Sequence, residues 1–381
     1  MQDFMFSIPQ NIIFGKSSLK KLPSLLKKLP SGKILILSGR RLNAIGTVRK
    51  VTDLLDESGI AHAEFLDIEA NPSVETVHNA AKVYIDNNAS CIIALGGGSP
   101  MDVAKAVGIL AVYGGDITQY EGGGRIPGKI APIIAIPTTA GTGSEVTAFA
   151  VITDKSRNYK LTVFSDELIP AYALLDPELV MSLPADVAAA TGVDAMVHGI
   201  EAYLSKASTA FTDVMAEAAI KMIGRYIRRF VANPGEEEAA GQMLLASTFA
   251  GLAFNRARLG NVHAMAHPLG GYFNLPHGIA NAILLPTVLE YNALADNGKY
   301  EIIYNMLKTG KDSNYSGPYS LTEEIKKLLR DLQIPEKLSL AGVTEDKIPD
   351  MAADAMKSGN VAVNPRKTGL KEIEMLYRKA L

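Results

Sequence analysis

The chain has 381 residues, 48% of them hydrophobic, and at roughly 100 to 200 residues per domain that is material for two domains with a core each. Its 38 Lys and Arg against 40 Asp and Glu leave a net charge of −2, so it has no basic field of the kind that grips a phosphate backbone and nucleic acid is not an expected partner. The single cysteine, Cys91, can form neither an internal disulfide nor a cysteine-based metal site, which fits a reducing compartment and a cytoplasmic location.

The first twenty residues lack the basic, apolar and small-residue regions of a signal peptide. Beyond them, short apolar runs alternate with amphipathic ones, the pattern of βα units that build a parallel sheet. Lys33–Leu37 (KILIL) reads as a buried strand and 48–55 as part of the helix after it. A second strand is expected at 63–68, then a turn at Asn71 and Pro72 and a helix capped by Ser73. The third strand, 91–95 (CIIAL), runs into Gly96, Gly97, Gly98, Ser99 and Pro100, with a helix expected from near Met101. The fourth, 133–136, ends at Pro137 in a loop rich in Thr and Gly. The runs 148–152 and 161–164 look like a hairpin or extra strands, and Tyr172–Leu175 like a last strand.

After Leu183 and Pro184 helical spacing takes over. Ile220, Ile223, Ile227 and Phe230 fall on one face of a helix stopped by Asn233 and Pro234, and Ser320 with Glu323 reads as a capping box ahead of Ile325, Leu328, Leu329 and Leu332. The expected organisation is therefore an α/β domain built on a parallel sheet over 1–183, and an all-α domain over 184–381. No internal repeat or low-complexity segment is visible.

Two loops and one group of side chains carry chemical promise. A Gly-Gly-Gly-Ser run between a buried strand and a helix suits an anion, because backbone N–H groups can approach it and the helix N-terminus adds partial positive charge. It is not the G-x-G-x-x-G fingerprint, since position 101 is Met. The loop 137–145 (PTTAGTGSE) also follows a strand, and ligands of open α/β sheets bind beyond the carboxyl ends of strands.

Histidine placement is sharper. Three of the six histidines, His263, His267 and His277, lie in an uncharged stretch running from Leu259 to Leu289. That stretch exceeds the roughly 20 residues of a membrane helix, yet its Pro, Gly and Asn content argues against a spanning segment. His198 follows Asp194 by four residues in a helical context, so carboxylate and imidazole share a face, the geometry by which helices present two ligands to one metal. Asp194 is also surrounded by small apolar residues, and a carboxylate buried there needs a cation. A hydrogen-bond network without metal is the alternative for Asp194, His198, His263 and His277. The spacing of His267 from His263 fits either a ligand or a proton carrier, while His62 and His78 read as ordinary surface side chains.

Together GGGSPMDVAK (96–105), PTTAGTGSE (137–145), GVDAMVHGIEAY (192–203) and HAMAHPLGGYFNLPHG (263–278) resemble the iron-containing (group III) alcohol dehydrogenases, over essentially the whole chain. The resemblance implies that 1–183 is a dinucleotide-binding α/β domain with a Rossmann-like parallel sheet and 184–381 a helical metal-binding domain, in a homo-oligomer, dimer or higher, with the active site in a cleft between the two domains. It implies Asp194, His198, His263 and His277 as metal ligands and His267 as a catalytic proton carrier near the site. It also places Gly39, Asn71, Gly96 to Pro100, Asp102, Thr138, Thr139, Thr142, Val151 and Lys160 along the cofactor, and Phe149 and Phe254 at the substrate pocket. The metal it implies is Fe²⁺, although an all-N/O ligand set also admits Zn²⁺.

The implied reaction moves a hydride between a short primary alcohol or aldehyde and a nicotinamide cofactor. A 1,2- or 1,3-propanediol or lactaldehyde oxidoreductase is the alternative within the family. Outside it stand a lyase like dehydroquinate synthase and a silent metal- and nucleotide-binding protein. Where NAD-preferring relatives carry an Asp after the first strand, this chain has Gly39 followed by Arg40 and Arg41. NADP is therefore expected to serve at least as well as NAD.

Overall fold

A computed structural model describes residues 4, 6–157, 159–309 and 314–381. They form two compact units. One is built from 7–139 and 143–182; the other from 183–381 with Phe4, Phe6 and Ala140–Thr142.

Among its described residues the first unit holds nine strands: β1 (Asn11–Phe14), β2 (Lys33–Leu37), β3 (His62–Phe65), β4 (Ala89–Gly96), β5 (Gly122–Gly123), β6 (Ile133–Pro137), β7 (Phe149–Asp154), β8 (Tyr159–Phe164) and β9 (Tyr172–Leu175). Six make a parallel sheet in the order β1-β9-β6-β4-β2-β3. Its two faces are lined by alternate residues of the same strands. Leu35, Leu37, Ile92, Ala94, Ile133 and Ala135 join one core, and Ile34, Ile36, Cys91, Ile93, Leu95, Ile134 and Ile136 the other. Burial on both faces explains why these strands read as unbroken apolar runs and not as alternation.

Chain order reverses between β2 and β4, because β2 leads outward to β3 on one side while β4 and β6 lie on the other. That is the switch point at which ligands settle in open α/β sheets. The loops after β2, β4 and β6 therefore share one end of the sheet.

Several expectations need correction. The edge strand β1 was not read from the sequence. The second expected strand, 63–68, is His62–Phe65, because its pairing with β2 ends at Leu37 opposite Phe65. The helix expected from Met101 starts at Gly98, with Gly97 as its N-cap, so the glycines are part of the helix end. The hairpin of β7 and β8 does not extend the main sheet; with β5 it forms a second, three-stranded sheet.

Among the described residues from 183 onward every element is helical. The Ala185–Leu204 helix is buried along most of its length and packs against the helices Ala210–Ala232, Glu237–Ala257 and His277–Asn292. The expected capping box at Ser320 is absent. Pro318, whose fixed φ suits a first helical position, starts that helix after Gly317, and Ser320 instead accepts a hydrogen bond from the Ser316 backbone N–H at 3.1 Å. No helix among the described residues is long and apolar enough to cross a membrane.

Candidate metal centre and cofactor loops

Three helices deliver the ligand candidates. Ala185–Leu204 carries Asp194, His198 and Glu201 at successive turns of one face, Asn261–Phe273 carries His263 and His267, and His277–Asn292 opens with His277 and places Asn281 one turn later. Asp194 Oδ1 lies 3.9 Å from a nitrogen, Nε2, of both His263 and His277. One ligand atom from each of the three lies within 4.8 Å of the others.

His198 sits beside this trio. Its Nδ1 lies 3.3 Å from the Gly141 carbonyl oxygen, which can only accept, so Nε2 keeps its lone pair. Its ring stacks on His263 at 4.6 Å and on Phe254 at 4.5 Å between centroids. His267 is half-buried, with its ring stacked on His277 at 5.4 Å and 6.5 Å from that of His263.

Burial dominates the electrostatics. It pushes the Asp194 carboxyl up, with His198 and an Asn281 hydrogen bond opposing. It also lowers the His198 imidazole, and lowers His263 well below the usual histidine range, where neighbouring His198, His277 and His267 add to the effect. Imidazoles so disfavoured as cations present lone pairs, the form that binds metals.

No Lys or Arg pairs with Asp194 among the described residues. The Asn281 amide nitrogen stands 2.6 Å from Asp194 Oδ1 and 3.1 Å from Nε2 of both His263 and His277. Its amide oxygen is buried with no hydrogen-bond partner among the described residues. A carboxylate and imidazoles converging on one point, with no Lys or Arg paired to the carboxylate among the described residues, fit a divalent cation with N/O preference.

The α/β unit presents the other half of the expected machinery. Gly96 ends β4 with φ +152°, and a Cβ there would come within 2.6 Å of Pro100 Cγ, so this turn into the helix needs glycine. Gly98 and Ser99 then occupy the first turn of a helix running to Tyr113, where free N–H groups suit an anion. The β6 loop runs alongside, since the Thr138 N–H donates to the Gly96 carbonyl at 3.0 Å.

Asn71, Asp102, Val151 and Lys160 are joined in pairs. Lys160 Nζ donates to Asn71 Oδ1 at 2.7 Å, and Asp102 accepts from the Val151 N–H at 3.1 Å and from Ser144 Oγ at 3.0 Å. Burial lowers Lys160 to about 8 against the pull of Asp102. Asp102 is thus an internal anchor of the unit. Phe149 packs its ring on Phe164 at 4.8 Å, and Gly39 is the N-cap of the short helix Arg40–Ala44.

Three residues here were not singled out from the sequence. Glu201 meets His263; Asn281 meets all three clustered ligand candidates; the buried Lys105 donates to Ser144 Oγ, Thr147 Oγ1 and the Phe149 carbonyl at 2.8 to 3.1 Å, tying the β6 loop to the glycine helix. The i, i+7 spacing of Asp194 and Glu201 was the available signal for the first.

With this geometry in place, the chain matches two family descriptions: iron-containing alcohol dehydrogenase over residues 9–177, and the C-terminal part of the Fe-containing alcohol dehydrogenase family over 188–381. It is 38% identical to a 1,3-propanediol dehydrogenase of Citrobacter freundii, covering 99% of this chain and 98% of that one. It is 34% identical to an NAD-dependent methanol dehydrogenase of Bacillus methanolicus, covering 99% of each chain. A solved 1,3-propanediol oxidoreductase superposes with a TM-score of 0.96 at 37% identity over 100% of both chains.

Proposed function

This chain belongs to the iron-containing alcohol dehydrogenase family, and we propose that within it the chain interconverts short primary alcohols and aldehydes with a nicotinamide cofactor, holding its metal on Asp194, His198, His263 and His277. The observation that carries this reading is the cluster of buried Asp194 and His263 with half-buried His277, with His198 stacked beside it and no Lys or Arg pairing with its carboxylate among the described residues. When bound, the metal supplies Lewis-acid polarisation of the substrate oxygen, and the nicotinamide supplies hydride exchange.

The chain's own residues do the rest. The helix N-terminus at Gly98 and Ser99, with the hydroxyls of Thr138 and Thr139, binds the cofactor phosphates. His267, half-buried against His277, carries the proton between the reacting hydroxyl and solvent. Phe254, on the ring of His198, gives the substrate an apolar wall.

Substrate size is tested by a panel of ethanol, 1-butanol, 1,2-propanediol and 1,3-propanediol. The apolar wall predicts a higher kcat/KM for 1-butanol than for either diol. The reverse order would favour a second reading, a diol oxidoreductase, which the 38% identity to a 1,3-propanediol dehydrogenase supports. A homo-oligomer in the cytoplasm is also proposed. Exposed Phe211 and Val214, with Phe4 and Phe6 packed on Phe211, support the first, and the single buried Cys91 supports the second.

NADPH is expected to serve at least as well as NADH. Arg40 is tied to Asp67 at 2.6 Å, both side chains exposed, so Arg41, next in the chain and also exposed, is the more available guanidinium for a 2′-phosphate. One charge-assisted contact contributes about 1.5–3 kcal/mol, roughly ten- to hundredfold in affinity. In Gly39→Asp the new Cβ stands 3.2 Å from the Ile68 carbonyl oxygen, a contact relieved by a small adjustment, and the carboxylate should depress kcat/KM for NADPH selectively. Unchanged NADPH use in that variant, or a wild-type preference for NADH above about tenfold, contradicts the assignment.

A further inference from the structure

We infer that Glu201 is a positioning residue for the metal centre, fixing the tautomer and ring orientation of His263 so that Nε2 faces Asp194. The inference rests on the reading of Asp194, His263 and His277 as a metal site. It starts from an acid in an unusual place. Glu201 is only 6% exposed, and its one ion-pair partner among the described residues is an imidazole, with no Lys or Arg alongside. A carboxylate survives such burial only if its lone pairs are satisfied.

They are satisfied entirely by the start of the Asn261–Phe273 helix. Oε1 accepts from the Val262 N–H at 2.7 Å; Oε2 accepts from the His263 N–H at 3.3 Å and from His263 Nδ1 at 2.6 Å. The N-cap of that helix is Gly260, which has no side chain to accept from these N–H groups. Glu201 therefore performs the capping function from a neighbouring helix. Gly260 leaves room for it, since a Cβ there would lie 2.8 Å from Oε1.

Capping alone would not require the third contact. A carboxylate can only accept, so the 2.6 Å bond places the proton of neutral His263 on Nδ1 and leaves Nε2 as the lone-pair nitrogen. That Nε2 is the atom 3.9 Å from Asp194 Oδ1. Because the carboxylate is itself pinned by two backbone N–H groups of the same helix, the ring is held at both ends of one rigid unit. Outer partners of this kind typically change metal affinity 10- to 100-fold when removed.

The test uses the full chain. Glu201→Gln keeps the shape but replaces one accepting oxygen with a donor, which opposes either the Val262 N–H or the imidazole N–H. The dissociation constant for Zn²⁺, measured by chelator competition, should weaken about 10- to 100-fold, and the visible spectrum of the Co²⁺ form should change as the His263 ring turns. A purely structural role would lower the melting temperature of the metal-free protein and leave affinity and spectrum unmoved.

Should the variant fail to fold, ¹⁵N imidazole spectra of the metal-free wild type, assigned with His263→Gln, decide the matter. Protonated Nδ1 on His263 is expected; protonated Nε2 overturns the inference. So do a Zn²⁺ affinity within about twofold of wild type and an unchanged Co²⁺ spectrum in Glu201→Gln. Failure of the wild type to bind one Zn²⁺ per chain would instead remove the site reading on which the inference rests.

Discussion

Replacing Asp194 with Ala is expected to abolish bound metal and alcohol-dependent reduction of the nicotinamide together. Asp194 is the one acid of a cluster whose other members are imidazoles, so its removal leaves a cation without a formal counter-charge in a largely buried site. The loss of affinity should exceed the roughly 10- to 100-fold that outer partners control. His267→Ala is the informative contrast. Its ring stacks on His277 without joining the cluster, so metal content should stay at the wild-type level while turnover falls about a hundredfold, the lower end of the effect of a proton-transferring side chain. Full metal occupancy in the Asp194 variant, by elemental analysis, would contradict the ligand assignment.

Gly278→Ala should be among the most damaging single substitutions in the helical unit. Alanine inside a helix ordinarily stabilises relative to glycine by about 0.5–1 kcal/mol. At Gly278, however, a Cβ would stand 2.2 Å from the Ala190 carbonyl oxygen and 2.8 Å from its carbon. Both atoms are backbone of the helix that carries Asp194 and His198, so no side-chain end can yield and the helices must part. Overpacking of this kind costs about 1–3 kcal/mol or more, which for a unit of this size lowers the melting temperature by roughly 2–4 °C per kcal/mol. Parting also carries His277 and Asn281 away from Asp194, so metal affinity should fall with stability. A melting temperature equal to or above that of the wild type would show that the close approach of the two helices is not what holds the cluster.

Much of the fold was legible because burial on both faces of the sheet leaves a plain signal. KILIL and CIIAL read as strands on apolarity alone, and Ser73 read as a cap that the structure realises, its hydroxyl accepting from the Thr76 N–H at 3.3 Å. The edge strand Asn11–Phe14 escaped because it is paired on one side only, with half-exposed and exposed residues. Ser320 misled because a capping motif says nothing about a proline two residues upstream that already starts the helix.

The metal-site candidates were visible through an i, i+4 pair and a run of histidines. Glu201 and Asn281 were not, since their meaning lies in contacts with residues 62 and 87 positions away. Arg40 showed its charge in the sequence but not its commitment to Asp67, which only folding brings to 2.6 Å.

The central claim, that a metal held by Asp194 and the histidines makes this chain an alcohol oxidoreductase, is tested most directly by removing the metal and returning it. The full-length protein is stripped with a chelator, and Fe²⁺ or Zn²⁺ is titrated back while ethanol- or 1-butanol-dependent reduction of NAD⁺ and NADP⁺ is followed. Turnover should vanish on stripping and return in proportion to added metal, saturating at one ion per chain. Turnover that persists in protein holding far less than one ion per chain would contradict the account.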